Sequence, residues 1–334
     1  MTRTHRILTA ALALQVVLAL AVFILPLLTS ATGASAPLLG ALTAADITGL
    51  SVVDADGNSV DLAKKDGAWV VPGADDYPAD TSKIEAFLGR VVGIQTNPLV
   101  TRTSASHRQL QVAGDDFQRR LILTLGDGSV RTLFLGTSSA GGGHIRLDGQ
   151  DEVYLARGLN SFEAGAQVSS WIDTQYFSIA QDTLTAVKIE NANGTLEFEK
   201  DASGNWTMKG LARGEEFNPN NFTTLLTRLS SLSMSRPLGK AAKPEYGLDA
   251  PSAVVTVVAG EKTYTLRVGA KDETDNTYVL GSSESAFIVR APFFALDDFV
   301  NRARGTYLQP TPTPEATATP TASSTPEATP TPAP

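Results

Sequence analysis

Two acidic loops are the first residues whose types and spacing suit a chemical task. Asp54-Ala55-Asp56-Gly57-Asn58 puts side-chain oxygens at alternate positions, the opening pattern of a calcium loop. The glutamate that would complete such a loop is missing, because Lys65 stands in its place. Asp201-Ala202-Ser203-Gly204-Asn205 has the same form. Asp, Asn and Gly also build tight turns for backbone reasons alone, so hairpin turns are expected at both places.

Gly141-Gly142-Gly143 ahead of His144 has the composition of a phosphate cradle. Such a cradle needs a helix N-terminus behind it, usually with Lys-Ser or Lys-Thr. Strand-like His144-Ile145-Arg146-Leu147 follows instead, so a flexible loop is expected. A serine hydrolase needs a strand–helix elbow of the form Gly-x-Ser-x-Gly, and none is present. His107 and His144 both fall in the first half of the chain, and structural roles are expected for them; His5 belongs to the N-terminal flank. The adjacent acids Asp115-Asp116 and Asp297-Asp298 are expected on solvated faces. Trp69 and Trp206 occupy matching positions and are expected to pack in cores, the other use of Trp being an exposed ligand platform. With no cysteine in the chain, disulfides, thiolate metal sites and a thiol nucleophile are excluded. The sequence thus names no catalytic, cofactor-binding or metal-ligating residue. The net charge of -8 argues against nucleic acid as a partner, since phosphate binding needs a basic face.

The elements around these residues are written nearly twice. Ile47–Trp69 and Leu184–Trp206 each alternate, turn at Asp-Gly or Asn-Gly, alternate again and end on Trp. In the first copy, strands are expected over Gly49–Val53, Ser59–Ala63 and Ala68–Val71. A helix over Lys83–Ile94 follows, carrying Ile84, Phe87, Leu88, Val91 and Val92 on one stripe. The second copy has strands over Val187–Glu190 and Thr195–Glu199. Its helix opens at Asn218-Pro219 and carries Phe222, Leu225, Leu226, Leu229 and Leu232. Further strands are expected at Arg120–Leu125 and Val130–Leu135, and at Ala253–Val258 and Thr263–Val268, with Gly136 and Gly269 following. Short terminal helices are expected around Gly158–Trp171 and Pro292–Arg304.

The fold class is therefore α+β: two tandem homologous modules, each a mostly antiparallel sheet with one main amphipathic helix, behind an N-terminal transmembrane helix. The divisions are 1–36 for a membrane anchor or signal segment, 45–173 and 182–304 for the modules, and 305–334 for a disordered Pro/Thr-rich tail. Repetition implies a pseudo-symmetric pair sharing an interface, the alternative being a pair joined flexibly.

Residues 7–28 carry no charge and would span ~33 Å as a helix. Arg3 and Arg6 precede them and no Lys or Arg follows before Lys64, which keeps the N-terminus cytoplasmic and the bulk of the chain outside. The alternative is secretion after cleavage near Ala34-Ser35-Ala36, which Pro37 disfavours. The tail has no large apolar residue from Gln309 onward, cannot offset its ordering entropy and reads as extended.

Asp66-Gly67-Ala68-Trp69, Pro78-Ala79-Asp80 and Tyr246-Gly247-Leu248-Asp249-Ala250-Pro251, in this order among the strands, resemble the bacterial family known as domain of unknown function 4340. The resemblance covers 47–304 and the N-terminal segment, with His107–Ala113 departing from the Tyr-Gly-Leu-Asp form. It implies an α+β domain held outside the membrane and an association with ABC-type export or gliding-motility-like transporter components. It brings no catalytic residues.

The expected function is that of a membrane-anchored, non-enzymatic module that binds a protein partner in a transporter or envelope complex, possessing no cofactor. A module binding cell-wall glycan or a small ligand is the alternative, and an enzyme with an unfamiliar site is a third reading.

Overall fold

The computed structural model describes residues 35–310 and, before them, Gln15 alone. The rest of the segment 7–28, its basic flank, Ala34 and the tail from 311 lie outside the described residues. Among the described residues no helix is long and apolar enough to cross a membrane.

Among the described residues the chain is mostly antiparallel sheet with three α-helices, an α+β fold. The first sheet holds β1 (Ile47–Asp54), β2 (Ser59–Lys65), β3 (Ala68–Val71), β4 (Tyr77–Pro78), β5 (Leu99–Thr101), β6 (Arg119–Leu125), β7 (Val130–Ser139), β8 (Gly142–Leu147) and β9 (Val153–Arg157). Its order is β4-β3-β2-β1-β6-β7-β8-β9-β5. Strand β10 (Gln175–Phe177) then leads to β11 (Leu184–Asn191), β12 (Gly194–Lys200) and β13 (Trp206–Met208). After them come β14 (Leu232–Ser233), which pairs with β10, and β15 (Arg236–Gly239), β16 (Ala253–Ala259), β17 (Lys262–Asp272), β18 (Thr277–Ser282) and β19 (Ser285–Pro292). The second sheet runs β13-β12-β11-β16-β17-β18-β19-β15. Apart from β4, this is the path of the first sheet.

The registers agree as well as the order. The β1–β6 pair slips between Ile47 and Gly49, and β11–β16 slips between Leu184 and Ala186. The β7–β8 pair slips between Leu135 and Ser138, and β17–β18 between Val268 and Lys271. A bulge bends the strand that carries it, so both sheets curl at the same places.

One helix packs on the inner face of each sheet. Helix α1 (Thr81–Val92) is capped by Asp80, whose carboxylate accepts from Lys83 N. Helix α2 (Pro219–Ser230) is capped by Asn218 and starts on a proline, which suits a first turn with no N–H to satisfy. Ile84, Phe87, Leu88 and Val91 are buried on one, and Phe222, Leu225, Leu226 and Leu229 on the other. They meet the alternating apolar side chains of the sheets, such as Leu121 and Leu123, or Val255 and Val257. Leu232, expected on the second helix, is buried beyond its end in β14.

A small cluster covers the opposite face of each sheet. Leu110 and Val112 lie against Phe134 and Val153, and Tyr246 and Leu248 against Val279 and Ile288. The covering loops come very close. A Cβ on Gly136 would overlap the carbonyl of Leu110, and one on Gly269 the carbonyl of Tyr246. The Tyr-Gly-Leu-Asp segment is thus a plug seated on the outer face of its sheet.

Three boundaries differ from expectation. The region from Gly158 to Trp171 forms two 3-10 turns, Ser161–Glu163 and Val168–Ser170, where a helix is expected. Gly158 takes φ +71, and Gly165 lies too close to Ser170 for any side chain. The matching region of the second half is Phe-Phe-Ala-Leu-rich and does make a helix, α3 (Phe293–Asn301). Residues 305–309, assigned to the tail, are held: Tyr307 is fully buried, and its carbonyl accepts from Asn218 N at 2.8 Å. Large apolar side chains at Tyr307 and Leu308 explain this. At the other end Leu38 is buried and its N–H donates to Ile94 O at 2.7 Å, so packing begins before residue 45.

Candidate functional site

The residues singled out for their chemistry go mostly to structural use. Asp54 accepts from the backbone N–H groups of Asp56 and Asn58, and from the Asn58 amide at 3.0 Å, closing the β1–β2 turn. These bonds hold its carboxyl below the usual range against the opposing pull of desolvation, the largest single influence on it. Asp201 accepts from Ser203 N and Asn205 N in the same way. Gly142 and Gly143 are buried strand residues of β8, not a flexible loop. A Cβ on Gly142 would overlap the carbonyl of Ala156, so glycine there permits close strand approach. Among the described residues no group of three or more acids and histidines could hold a metal ion.

Both histidines are buried and hydrogen-bonded. His144 Nδ1 is 3.0 Å from Thr137 Oγ1, and His107 Nε2 is 2.9 Å from the carbonyl of Asp151. Asp115 is exposed and pairs with Arg108. Asp297 accepts from Asn301 at 2.5 Å. Asp298, expected on a solvated face, is instead buried on α3. It pairs with Arg302 Nε at 2.7 Å and Arg228 Nε at 3.0 Å, and these two cations make its burial tolerable. The two tryptophans part company. Trp69 is buried, whereas Trp206 is half-buried, packed on Phe222 with the Lys200 ammonium 5.5 Å from its ring centre.

The junction of the two sheets gathers functional groups that the motifs did not point to. Strand β15 lies against the 3-10 turn Pro72–Ala74, which follows β3. The N–H of Lys240, just past β15, donates to Asp75 Oδ2 at 2.6 Å. Phe287 on β19 meets Tyr77 on β4 edge to face, with ring centres 4.8 Å apart. Its carbonyl accepts from the Tyr176 hydroxyl at 2.7 Å, and the Lys240 ammonium sits 4.8 Å from its ring centre. Burial pushes the Tyr176 phenol up to about 12 and raises Tyr77 too, with Asp173 adding to the latter.

A groove of about 320 Å³ runs along this seam, lined among others by Asp61, Gly73, Gln167, Ser235, Arg236 and Pro237. Arg236 is fixed by Asp275 at 3.0 Å. The lining mixes hydrogen-bonding groups of both signs and suits a polar side chain or a short peptide segment. The contact joins unlike ends. The β3–β4 end of the first sheet meets the β15–β19 end of the second, head to tail, where a pair related by two-fold symmetry would join like ends. The opposite ends, β5 and β13, take no part in it. Leu99 and Val100 on β5 are exposed large apolar residues, while Pro237 on β15 is buried. The sequence signal for this site is thin: Asp75-Asp76-Tyr77-Pro78 occurs in the first half and has no counterpart in the second.

No curated protein and no solved structure matches the chain. A family model does, that of the domain of unknown function DUF4340, over residues 69–251. The match starts at Trp69, takes in α1, the Asp75 and Lys240 sides of the seam and α2, and ends after the Tyr-Gly-Leu-Asp plug. It covers more than half of the chain, which therefore belongs to the DUF4340 family.

Proposed function

We propose that this protein is a membrane-anchored, extracytoplasmic, non-enzymatic module, made of two tandem homologous units, that binds a protein partner in a transporter or envelope complex. One observation carries the reading: two sheets of the same strand order and bulge positions are joined head to tail, and among the described residues one unlike end of each, β5 and β13, stays outside that junction. Duplication accounts for the shared bulges, because two unrelated sheets have no reason to slip at the same strand positions. A rigid double sheet with an open, apolar edge strand is suited to accepting a strand or loop from another protein. Leu99 and Val100 on β5 would form that edge. The uncharged segment 7–28 would tether the body to the membrane.

The test is a crosslinked pull-down of the full chain from native membranes in mild detergent, read by mass spectrometry. Transporter or envelope subunits should be recovered in stoichiometric amounts, and Leu99→Asp with Val100→Asp should abolish their recovery. Recovery of the protein alone would overturn the reading. A second reading, a ligand-binding module, would use the half-buried Trp206, and its test is given below.

A further inference from the structure

The two sheets match in backbone yet differ at one cross-strand pair on their outer faces. In the first sheet Phe134 stands opposite Arg146; in the second, at the same register, Arg267 stands opposite Gly281. The first pair is filled and satisfied. Arg146 is buried, with its guanidinium 4.7 Å from the Phe134 ring centre. Its Nε donates to Val112 O at 2.7 Å and its Nη1 to Gln150 O at 3.1 Å.

The second pair is hollow. Gly281 supplies no side chain, and a cleft of about 380 Å³ opens there, lined by Leu248, Thr265, Arg267, Gly281, Ser282 and Ser283. That volume is within the range of small-ligand sites, roughly 300–1,000 Å³. Arg267 is exposed, lines this cleft and forms no ion pair or side-chain hydrogen bond with any other described residue. The acid of this hairpin, Glu284, is held by Lys262 at 2.5 Å. The neighbouring hydroxyl is turned into a donor: Ser283 Oγ accepts from Thr265 N at 3.0 Å. A hydroxyl that already accepts a backbone N–H keeps its proton for another acceptor.

We propose that this hollow binds a small oxyanion, a carboxylate or phosphate group, between Arg267 and the hydroxyl of Ser283, with Leu248 as an apolar wall. The oxyanion provides the acceptor oxygens that Val112 and Gln150 provide to Arg146 in the first sheet. A guanidinium is the natural centre of such a site because its fork of donors matches two oxygens at once. The site stands apart from the partner reading above.

The experiment is isothermal titration calorimetry of the full chain in a nonionic detergent, with inorganic phosphate and with succinate as probes. Saturable binding of at least one probe at a single site is expected. Arg267→Ala should weaken it about tenfold or more, the loss of a charge-assisted contact. Gly281→Val should weaken it likewise by filling the hollow. A Cβ at Gly281 meets Leu248 no closer than 3.7 Å, so this variant should fold, which circular dichroism checks. Arg131→Ala, at an exposed arginine of the first sheet, should bind like the unaltered chain. The proposal is overturned if neither probe binds saturably, if Arg267→Ala binds as well as the unaltered chain, or if Arg131→Ala weakens binding equally. Should Gly281→Val misfold, Arg267→Ala alone decides.

Discussion

The backbone N–H of Lys240 donates to the carboxylate of Asp75 at 2.6 Å, and this bond ties the edge of the second sheet to the turn that ends β3 in the first. Gly239 stands beside it at φ +109, and a Cβ there would come within 2.5 Å of Asp75 Oδ2. Asp75 itself takes φ +53, a left-handed conformation that Asp tolerates better than most residues. The seam is thus set by one acceptor, one glycine and an aromatic contact between Tyr77 and Phe287.

Gly239→Ala should therefore destabilise the fold by about 1–3 kcal/mol, through both the strained φ and the collision with Asp75. Asp75→Ala should cost about 1 kcal/mol by leaving the Lys240 N–H without its partner. Urea denaturation followed by tryptophan fluorescence measures both. Hydrogen exchange at the Lys240 amide should quicken in Asp75→Ala while amides in β16 stay protected. Unchanged exchange at Lys240 would contradict the assignment of this bond as the tie.

The plugs on the outer faces make a matched pair of predictions. Gly136→Ala and Gly269→Ala should each cost about 2–4 kcal/mol, since each added methyl meets a backbone carbonyl that cannot give way cheaply. Within the plugs, Gly247 has φ +64 and Gln111 has φ +53 at the corresponding place. Left-handed backbone suits Gly and strains Gln, so Gln111→Gly should stabilise by about 0.5–1 kcal/mol. A drop in midpoint for Gln111→Gly would show that its side-chain bond from Gln118 Nε2, at 2.8 Å, outweighs the strain.

Local chemistry made much of the fold legible, and long-range contact hid the rest. The Asp-Gly and Asn-Gly turns, the helix opening at Asn218-Pro219, and the stripes from Ile84 and Phe222 all act within a few residues, so periodicity and turn composition reveal them. The seam joins Asp75 to Lys240 across 165 positions, and nothing near either residue announces the other. Asp298 reads as a surface acid because its partner Arg228 lies on a distant helix. Tyr307 reads as the start of the tail because the core that takes it up, with Phe198 and Phe222, is assembled from far upstream. Gln111 hides a left-handed position that glycine reveals in the second half.

Tyr307 also gives the chain an alkaline limit. Its hydroxyl is buried and has no hydrogen-bond partner among the described residues. Burial, the largest influence, pushes its phenol up to about 12, with Arg302 pulling the other way. Tyr176 is raised to about 12 as well. In the unfolded chain both ionise near 10.0. Above that pH the unfolded state binds fewer protons than the folded one, so stability falls as pH rises from about 10 to 12 and is fully present below 10. Tyr307→Phe should shrink that decline. It should also raise stability at neutral pH by about 1 kcal/mol, because an unsatisfied buried hydroxyl is removed. Denaturation midpoints at pH 8 and pH 11 test both, and an unchanged alkaline slope in Tyr307→Phe would contradict its role.

The three tryptophans separate the partner reading from the ligand-platform reading. Trp69 and Trp171 are buried to about the same depth, and the Trp171 Nε1 donates to Gly165 O at 2.7 Å. Trp206 alone is half-buried. Acrylamide should thus quench one class of emitter, and Trp206→Phe should remove that class while leaving the unquenched emission in place. A sugar ring stacks on an indole only where a face is open. Phe222 packs against this indole at 4.9 Å between ring centres, and the Lys200 ammonium stands 5.5 Å from its centre. Soluble cell-wall glycan fragments should therefore neither shift the emission nor protect Trp206 from acrylamide. Protection that saturates with glycan concentration, and is lost in Trp206→Phe, would favour the ligand-binding module over the partner-binding one. If Lys200→Ala were needed before any protection appeared, the lysine would be the feature that closes this face to sugars.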